Sequence, residues 1–264
     1  MRYWKGSIAL SPTQDYPLLR RVLRSTFVTH RQLYDFMRLE YRTWSRHSFN
    51  NRVLRLVKHN YLVRDDVPFK TDGYVYSISG MGALEVIGLG ECYTSPTPRT
   101  KDGKLPRSVY HAIDLNEIHL ALKRSAILVD WISDTEIRSQ NELTSVCYCK
   151  DYDAVVTVRV AGTERKFALE YERSPKTRKD YLRISSEIDG EKLVDRFLYL
   201  APSHDLLAFL VRSFEGSRRA IYFGLLRDFL GGLLDTPLRT VRPGASITLQ
   251  NVLRSAKIPA SPKD

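Results

Sequence analysis

The stretch Ser45-Arg46-His47-Ser48-Phe49-Asn50-Asn51-Arg52-Val53-Leu54-Arg55-Leu56-Val57-Lys58 decides how this chain is read. Phe49, Val53, Leu56 and Val57 recur at helical spacing, and at about 100° per residue they share one face. His47, Ser48, Asn51, Arg55 and Lys58 fall on the opposite face. A helix divided in this way buries its apolar stripe and offers Arg, Asn and His to a partner. Arg bonds guanine bidentately, Asn does the same to adenine, and Lys neutralises phosphate, so the wet face is chemically suited to a DNA major groove. A merely solvated helix face would show the same pattern, so the flanking sequence must separate the two readings.

Working outward, Leu18, Leu19, Val22 and Leu23 predict a helix over about Tyr16 to Arg24. Thr29 is placed to cap a second helix from His30 to Arg38, and Ser45 to cap the third. Asn60 to Arg64 reads as a strand, Asp65 to Gly73 as a turn, and Tyr74 to Ile78 as the returning strand. A short helix follows from Gly80 to Val86. Three helices and a β-ribbon form the winged helix-turn-helix pattern. Arg64, Lys70 and Thr71 would lie on its wing, where Arg64 and Lys70 could anchor phosphates, as could Arg46, Arg52 and Lys58.

Charge favours the DNA reading. Residues 1–110 carry 18 Lys/Arg against 9 Asp/Glu, whereas residues 111–264 carry 23 against 21. Nearly all of the net +11 therefore accompanies the helix-and-ribbon segment, as an electrostatic footprint on phosphate requires. The 43% apolar content excludes wholesale disorder. Cys92, Cys147 and Cys149 make neither a disulfide framework nor a zinc tetrad, and Cys147 and Cys149 read as buried thiols on a strand. The N-terminal residues lack a signal-peptide core and no run is long enough to span a membrane, so a cytoplasmic protein is expected. There is no Gly-rich phosphate loop and no nucleophile elbow.

The chain divides by composition into 1–91, a Pro- and Lys-rich linker over 92–110, an α/β domain over 111–253 and a fraying tail over 254–264. In the α/β domain, a helix from His111 to Arg124 precedes strands at about 126–132, 154–160 and 165–171. A helix over 177–188, a strand before Leu200 and a helix from His204 to Phe214 come next. Asp153 starts one strand, and Glu170 and Glu172 lie near the end of the next on one side of it. Carboxylates from adjacent strands suit an oxygen-ligand site for Mg²⁺, which would activate water at a phosphodiester; Glu117 would join Asp153 and Glu170 as a metal ligand. Simple pairing with nearby Lys and Arg competes with that reading.

These features together resemble the replication-relaxation proteins of bacterial plasmids and mobile elements. The resemblance runs from about Leu18 to Leu253. It is carried by the helix-turn-helix segment, His111 opening a helix, Asp153-Ala154-Val155, Leu169-Glu170-Tyr171-Glu172-Arg173, and the stretch beginning at Ser246. It implies an α+β chain in which a winged helix domain is joined to a domain similar to the PD-(D/E)xK nuclease core. Asp153 and Glu170 match the catalytic acids of that pattern, but Glu172 stands at the lysine position and Tyr152 precedes Asp153 where a proline belongs. The expected protein is thus a sequence-preferring double-stranded DNA binder, a transcriptional regulator or a replication or mobilisation accessory factor. A Mg²⁺-dependent endonuclease is the alternative. A homodimer is expected, since one short helix reads only a few base pairs, with Ile221–Leu234 as its candidate surface.

Overall fold

A computed structural model describes residues 8–41, 44–66, 73–90, 108–241 and 247–255. These divide into two units, Met1–Leu120 and Ala121–Asp264. The chain is α+β, with ten helices and two sheets among the described residues. No helix of the described residues is long and apolar enough to cross a membrane.

In the first unit, α1 (Asp15–Ser25) precedes a two-residue strand, β1 (Val28–Thr29). Thr29 then starts α2 (His30–Glu40) with a capping box: its hydroxyl accepts from the Gln32 N–H while the Gln32 side chain accepts from the Thr29 N–H. Helix α3 (Arg46–Lys58) is followed by β2 (Leu62–Asp66) and β3 (Tyr74–Ile78). The last two pair antiparallel from Leu62↔Ile78 to Asp66↔Tyr74, and β1 pairs with the other edge of β3. Three helices and this small sheet enclose a core in which Leu18, Val22, Leu33, Phe36, Phe49, Val53 and Leu56 are fully buried.

Two further helices cover the sheet. Ser79 caps α4 (Gly80–Ile87), which lies so close to the ribbon that a Cβ on Gly82 would sit 2.1 Å from the Tyr61 carbonyl oxygen. Helix α5 (Ser108–Arg124) was expected to open the second domain, but its first turns pack with the first unit. Val109, Ala112 and Ile113 cover Phe27 and Val75. Asn116 donates to the Phe27 carbonyl at 2.8 Å, and Gln32 donates to the Ile113 carbonyl at 2.8 Å. Of the expected linker over 92–110, residues 108–110 begin α5, while 92–107 and the wing tip (67–72) lie outside the described residues.

The second unit is built on a seven-stranded sheet. Its elements run β4 (Leu128–Ser133), α6 (Asp134–Leu143), β5 (Ala154–Val160), β6 (Thr163–Tyr171), α7 (Arg178–Gly190), β7 (Phe197–Ala201) and α8 (His204–Ser213). After these come β8 (Ile221–Leu225), α9 (Leu226–Gly232), β9 (Pro237–Thr240), β10 (Ile247–Thr248) and α10 (Leu249–Arg254). The strand order is β10-β9-β8-β7-β6-β5-β4. Strands β6, β7 and β8 are parallel to one another, and the remaining pairings are antiparallel. Strands β5 and β6 join through a two-residue turn, Ala161-Gly162, with φ of 50° and 77°; positive φ at both positions is the geometry that matches strand twist.

Helices α7 and α8 pack Tyr181, Ile184, Ile188, Leu207 and Leu210 against Phe197, Tyr199, Ile221 and Phe223. Every residue of β7 and of β8 is buried, as expected for interior parallel strands covered on both faces. Of the expected dimer surface Ile221–Leu234, Ile221–Leu225 is thus a buried central strand, whereas Leu230 is exposed and Leu233 and Leu234 are half-buried. Two arginines fix α10. Arg165 donates to the Leu253 carbonyl at 2.8 Å, and the buried Arg196 donates to those of Val252 and Ser255 at 3.3 and 2.9 Å. Cys147 and Cys149 lie in the exposed loop before β5 rather than buried on a strand; Cys92 lies outside the described residues.

Candidate nucleic-acid interface and a buried acid cluster

Helix α3 has defined ends. The Ser45 hydroxyl accepts from the Ser48 N–H at 3.2 Å. At the other end Asn60 adopts φ of 58°, so that the Tyr61 and Asn60 N–H groups reach the Leu56 and Val57 carbonyls at 2.9 and 3.0 Å. This is the left-handed cap that asparagine tolerates well. Phe49, Val53 and Leu56 are fully buried and Val57 packs beside them. Arg46, His47, Ser48, Asn51 and Lys58 are exposed, as the amphipathic pattern requires. Leu54 is exposed on the same side, at 52%.

The structure places Arg52 and Arg55 differently from the rest of that set. Asp15, at the start of α1, is fully buried, and a buried carboxylate without a counter-charge is costly. Arg52 bonds one carboxylate oxygen at 2.9 Å and Arg55 the other at 2.5 Å. Arg52 also donates to Gln14 and stacks over Trp44. Arg55, expected among the base-reading residues, is therefore held within the fold on α1. Asn50, next to Asn51, is likewise tied inward: its carbonyl oxygen lies 3.0 Å from His30 Nε2, and His30 Nδ1 lies 3.0 Å from the Tyr76 hydroxyl. Burial pushes the His30 pKa down. Arg46 rests over the Tyr34 ring and Arg64, on β2, over Tyr74, both at 4.4 Å. Lys70 lies outside the described residues.

In the second unit, Asp153, Glu170 and Glu172 collect at one end of the sheet. Asp153 precedes the first β5–β6 ladder pair, Ala154↔Leu169, and its carboxylate accepts from the Tyr171 N–H at 2.7 Å. Glu170 and Glu172 are buried, at 8% and 7% exposure. Each meets one lysine: Lys150, from the loop before β5, pairs with Glu170, and Lys176, from the start of α7's approach, pairs with Glu172. Burial pushes the Glu170 pKa up to about 7, and the charge of Asp153 adds to the rise while Lys150 opposes it. Burial also raises Asp134, which follows β4 and feels Asp153 as well. Tyr199 on β7 is buried with no hydrogen-bond partner for its hydroxyl; burial raises its pKa, and the field of Glu170 raises it further.

Glu191 provides an internal contrast. It is 1% exposed, and its carboxylate accepts from the N–H groups of Cys149, Lys192 and Leu193 and from the Tyr152 hydroxyl. That carboxylate is saturated by the fold, whereas Glu170 depends on a single ammonium. Glu117, the third expected metal ligand, belongs to the first unit, where it accepts from Arg31 at 2.9 Å and Gln32 at 2.8 Å. Among the described residues, no group of three or more His, Cys, Asp or Glu is arranged to hold a metal. Lys150 and Asp134 were not among the residues expected here; Lys150 lies upstream of β5 and not on or after β6. The Ser133-Asp134-Thr135-Glu136 capping-box signature at the start of α6 was the signal for Asp134.

No family model matches the chain, and no curated protein matches it. Among solved structures it is similar to the restriction endonuclease FokI bound to DNA, at 9% identity, over 83% of this chain and 44% of that one, with a TM-score of 0.25. The chain spans less than half the length of that protein, and a likeness at this TM-score carries no argument about fold or function.

Proposed function

We propose that this chain is a double-stranded-DNA-binding protein whose first unit is a winged helix-turn-helix, with α3 entering the major groove. The observation that carries the reading is the exposed ridge of α3. Arg46, His47, Ser48, Asn51 and Lys58 are presented to solvent by a helix whose opposite face is locked in a core. The excess of basic residues in 1–110 and the Arg64-bearing ribbon beside α3 support it. A regulator or a replication or mobilisation accessory factor of a mobile element, related to the replication-relaxation proteins and acting as a homodimer on a palindromic site, is the form this reading takes. The test is selection of bound fragments from random or genomic duplex DNA, then titration of the winner across salt. Phosphate contacts release counterions, so affinity should fall steeply between about 50 and 200 mM salt. Affinity indifferent to salt would point to a protein partner instead.

A second reading is a metal-dependent DNA endonuclease. Asp153 and Glu170 share one sheet end with an unpartnered buried Tyr199 hydroxyl. In the run β4, α6, β5, β6, α7, β7 the two acids lie at the start of β5 and the end of β6, the adjacent-strand placement that the nuclease resemblance implies. Asp153 and Glu170 would hold Mg²⁺ once Lys150 moved aside, and the ion would supply an activated water. Lys150 and Lys176 would steady charge on the phosphate, the role that Glu172 cannot fill. Mg²⁺- or Mn²⁺-dependent cleavage abolished by Asp153→Ala or Glu170→Ala is the expected result. No cleavage with either metal across several DNA forms removes this reading.

A further inference from the structure

At about 100° per residue, His47, Asn51, Leu54 and Lys58 fall within about 60° of one another and form the crest of α3. All four are exposed. Within that crest, the Asn51 side-chain nitrogen lies 2.9 Å from His47 Nε2, one helical turn away. An amide nitrogen only donates, so in this arrangement His47 Nε2 accepts, which requires the tautomer with its proton on Nδ1. A free asparagine amide can turn over and exchange its donor and acceptor ends. With the Nδ1–H tautomer of His47, this contact holds the Asn51 nitrogen toward the ring and leaves the carbonyl oxygen and a second N–H uncommitted.

We infer that His47 is a positioning residue that presents Asn51 as an oriented donor–acceptor pair to one adenine in the major groove. Adenine offers N7 as acceptor and its N6 amino group as donor, the complement of an asparagine amide. Arg55, which would otherwise favour guanine beside it, is drawn away by Asp15. Leu54, one turn along the crest, can meet a thymine methyl, so the crest as a whole is biased to A·T pairs. Asn50 cannot substitute for Asn51, because His30 holds it inward.

This inference rests on the DNA-binding reading, and the experiment separates the two. Base preferences are determined by selection from random duplex DNA for the full chain and for Asn51→Ala, His47→Ala and His47→Gln. The wild type should show one position with adenine preferred by about tenfold or more. Asn51→Ala should abolish that preference, His47→Ala should lower it several-fold, and His47→Gln, whose amide oxygen can also accept from Asn51, should restore it. None of the three should alter the salt dependence, because no charge that touches phosphate has been removed. Unchanged preference in His47→Ala overturns the positioning role, and unchanged preference in Asn51→Ala overturns the reading of adenine. Salt-dependent binding would survive in both cases. Failure of the wild type to bind any duplex overturns the DNA reading and this inference with it. Both side chains are exposed, so a lost preference with an unchanged unfolding midpoint cannot be a folding defect.

Discussion

Asp15 in the first unit and Glu170 in the second are both buried carboxylates, but they are neutralised differently. Asp15 draws two arginines off the outward side of α3, one to each oxygen. Glu170 has one lysine from a loop, a second acid beside it, and a pKa that burial lifts to about 7. The first arrangement uses charge to brace a surface, leaving His47, Asn51, Leu54 and Lys58 on the crest. The second keeps charge imbalanced inside a sheet end, and imbalance of that kind belongs more often to a site than to a scaffold. Position in the fold, rather than residue type, decides which charges face a partner.

The largest effect expected from breaking the comparison is at Asp15. Asp15→Ala leaves two partly buried guanidinium groups without their counter-charge and should cost about 3 kcal/mol or more in urea unfolding. A variant as stable as the wild type would show that the brace contributes nothing. Next comes pH. The folded pKa of Glu170 lies above its ordinary value of 4.5, so its contribution is complete below that value. It is lost as pH rises through about 7, and the stability of the second unit should decline over that interval in chelator-treated buffer. Glu170→Gln should flatten the decline; an unchanged slope would assign it elsewhere.

His30 predicts the opposite slope for the first unit. Its folded pKa is depressed below 6.5, so stability present above that value is lost as pH falls. A replacement that does not titrate, His30→Asn, should remove this acid sensitivity even if it lowers stability at neutral pH. The smallest change is expected for Lys58→Ala. It should weaken DNA binding about equally for all sequences and reduce the salt slope by about 1. A sequence-dependent loss would make Lys58 a reader of bases instead.

The apolar stripe of α3, the flanking helices and the ribbon were all legible because each rests on local periodicity and capping. The partners of charge were not. Arg55 meets Asp15 from 40 residues away, and no spacing rule announces it. Lys150 reaches Glu170 from upstream, across a strand pairing that the sequence alone leaves open. Helix α6 was not expected, although Ser133 and Glu136 form its capping box, because its ten residues carry only two large apolar side chains, Ile137 and Leu143, too few for a helical stripe. The two-residue strand β1 is too short to carry a pattern of its own and exists only through pairing with β3.

The arginine clasp on α10 also sets an order of events during synthesis. Arg165 must wait for the Leu253 carbonyl, 88 residues downstream, and Arg196 for that of Ser255, 59 residues downstream. All residues of the first unit precede Ala121, and domains generally fold as units from the N-terminus, so it can fold while later residues are still being added. On a ribosome, therefore, the helix proposed to read DNA is formed well before the sheet is closed. A nascent chain stalled near residue 160 would already present α3, at a stage when Lys150 has not yet met Glu170.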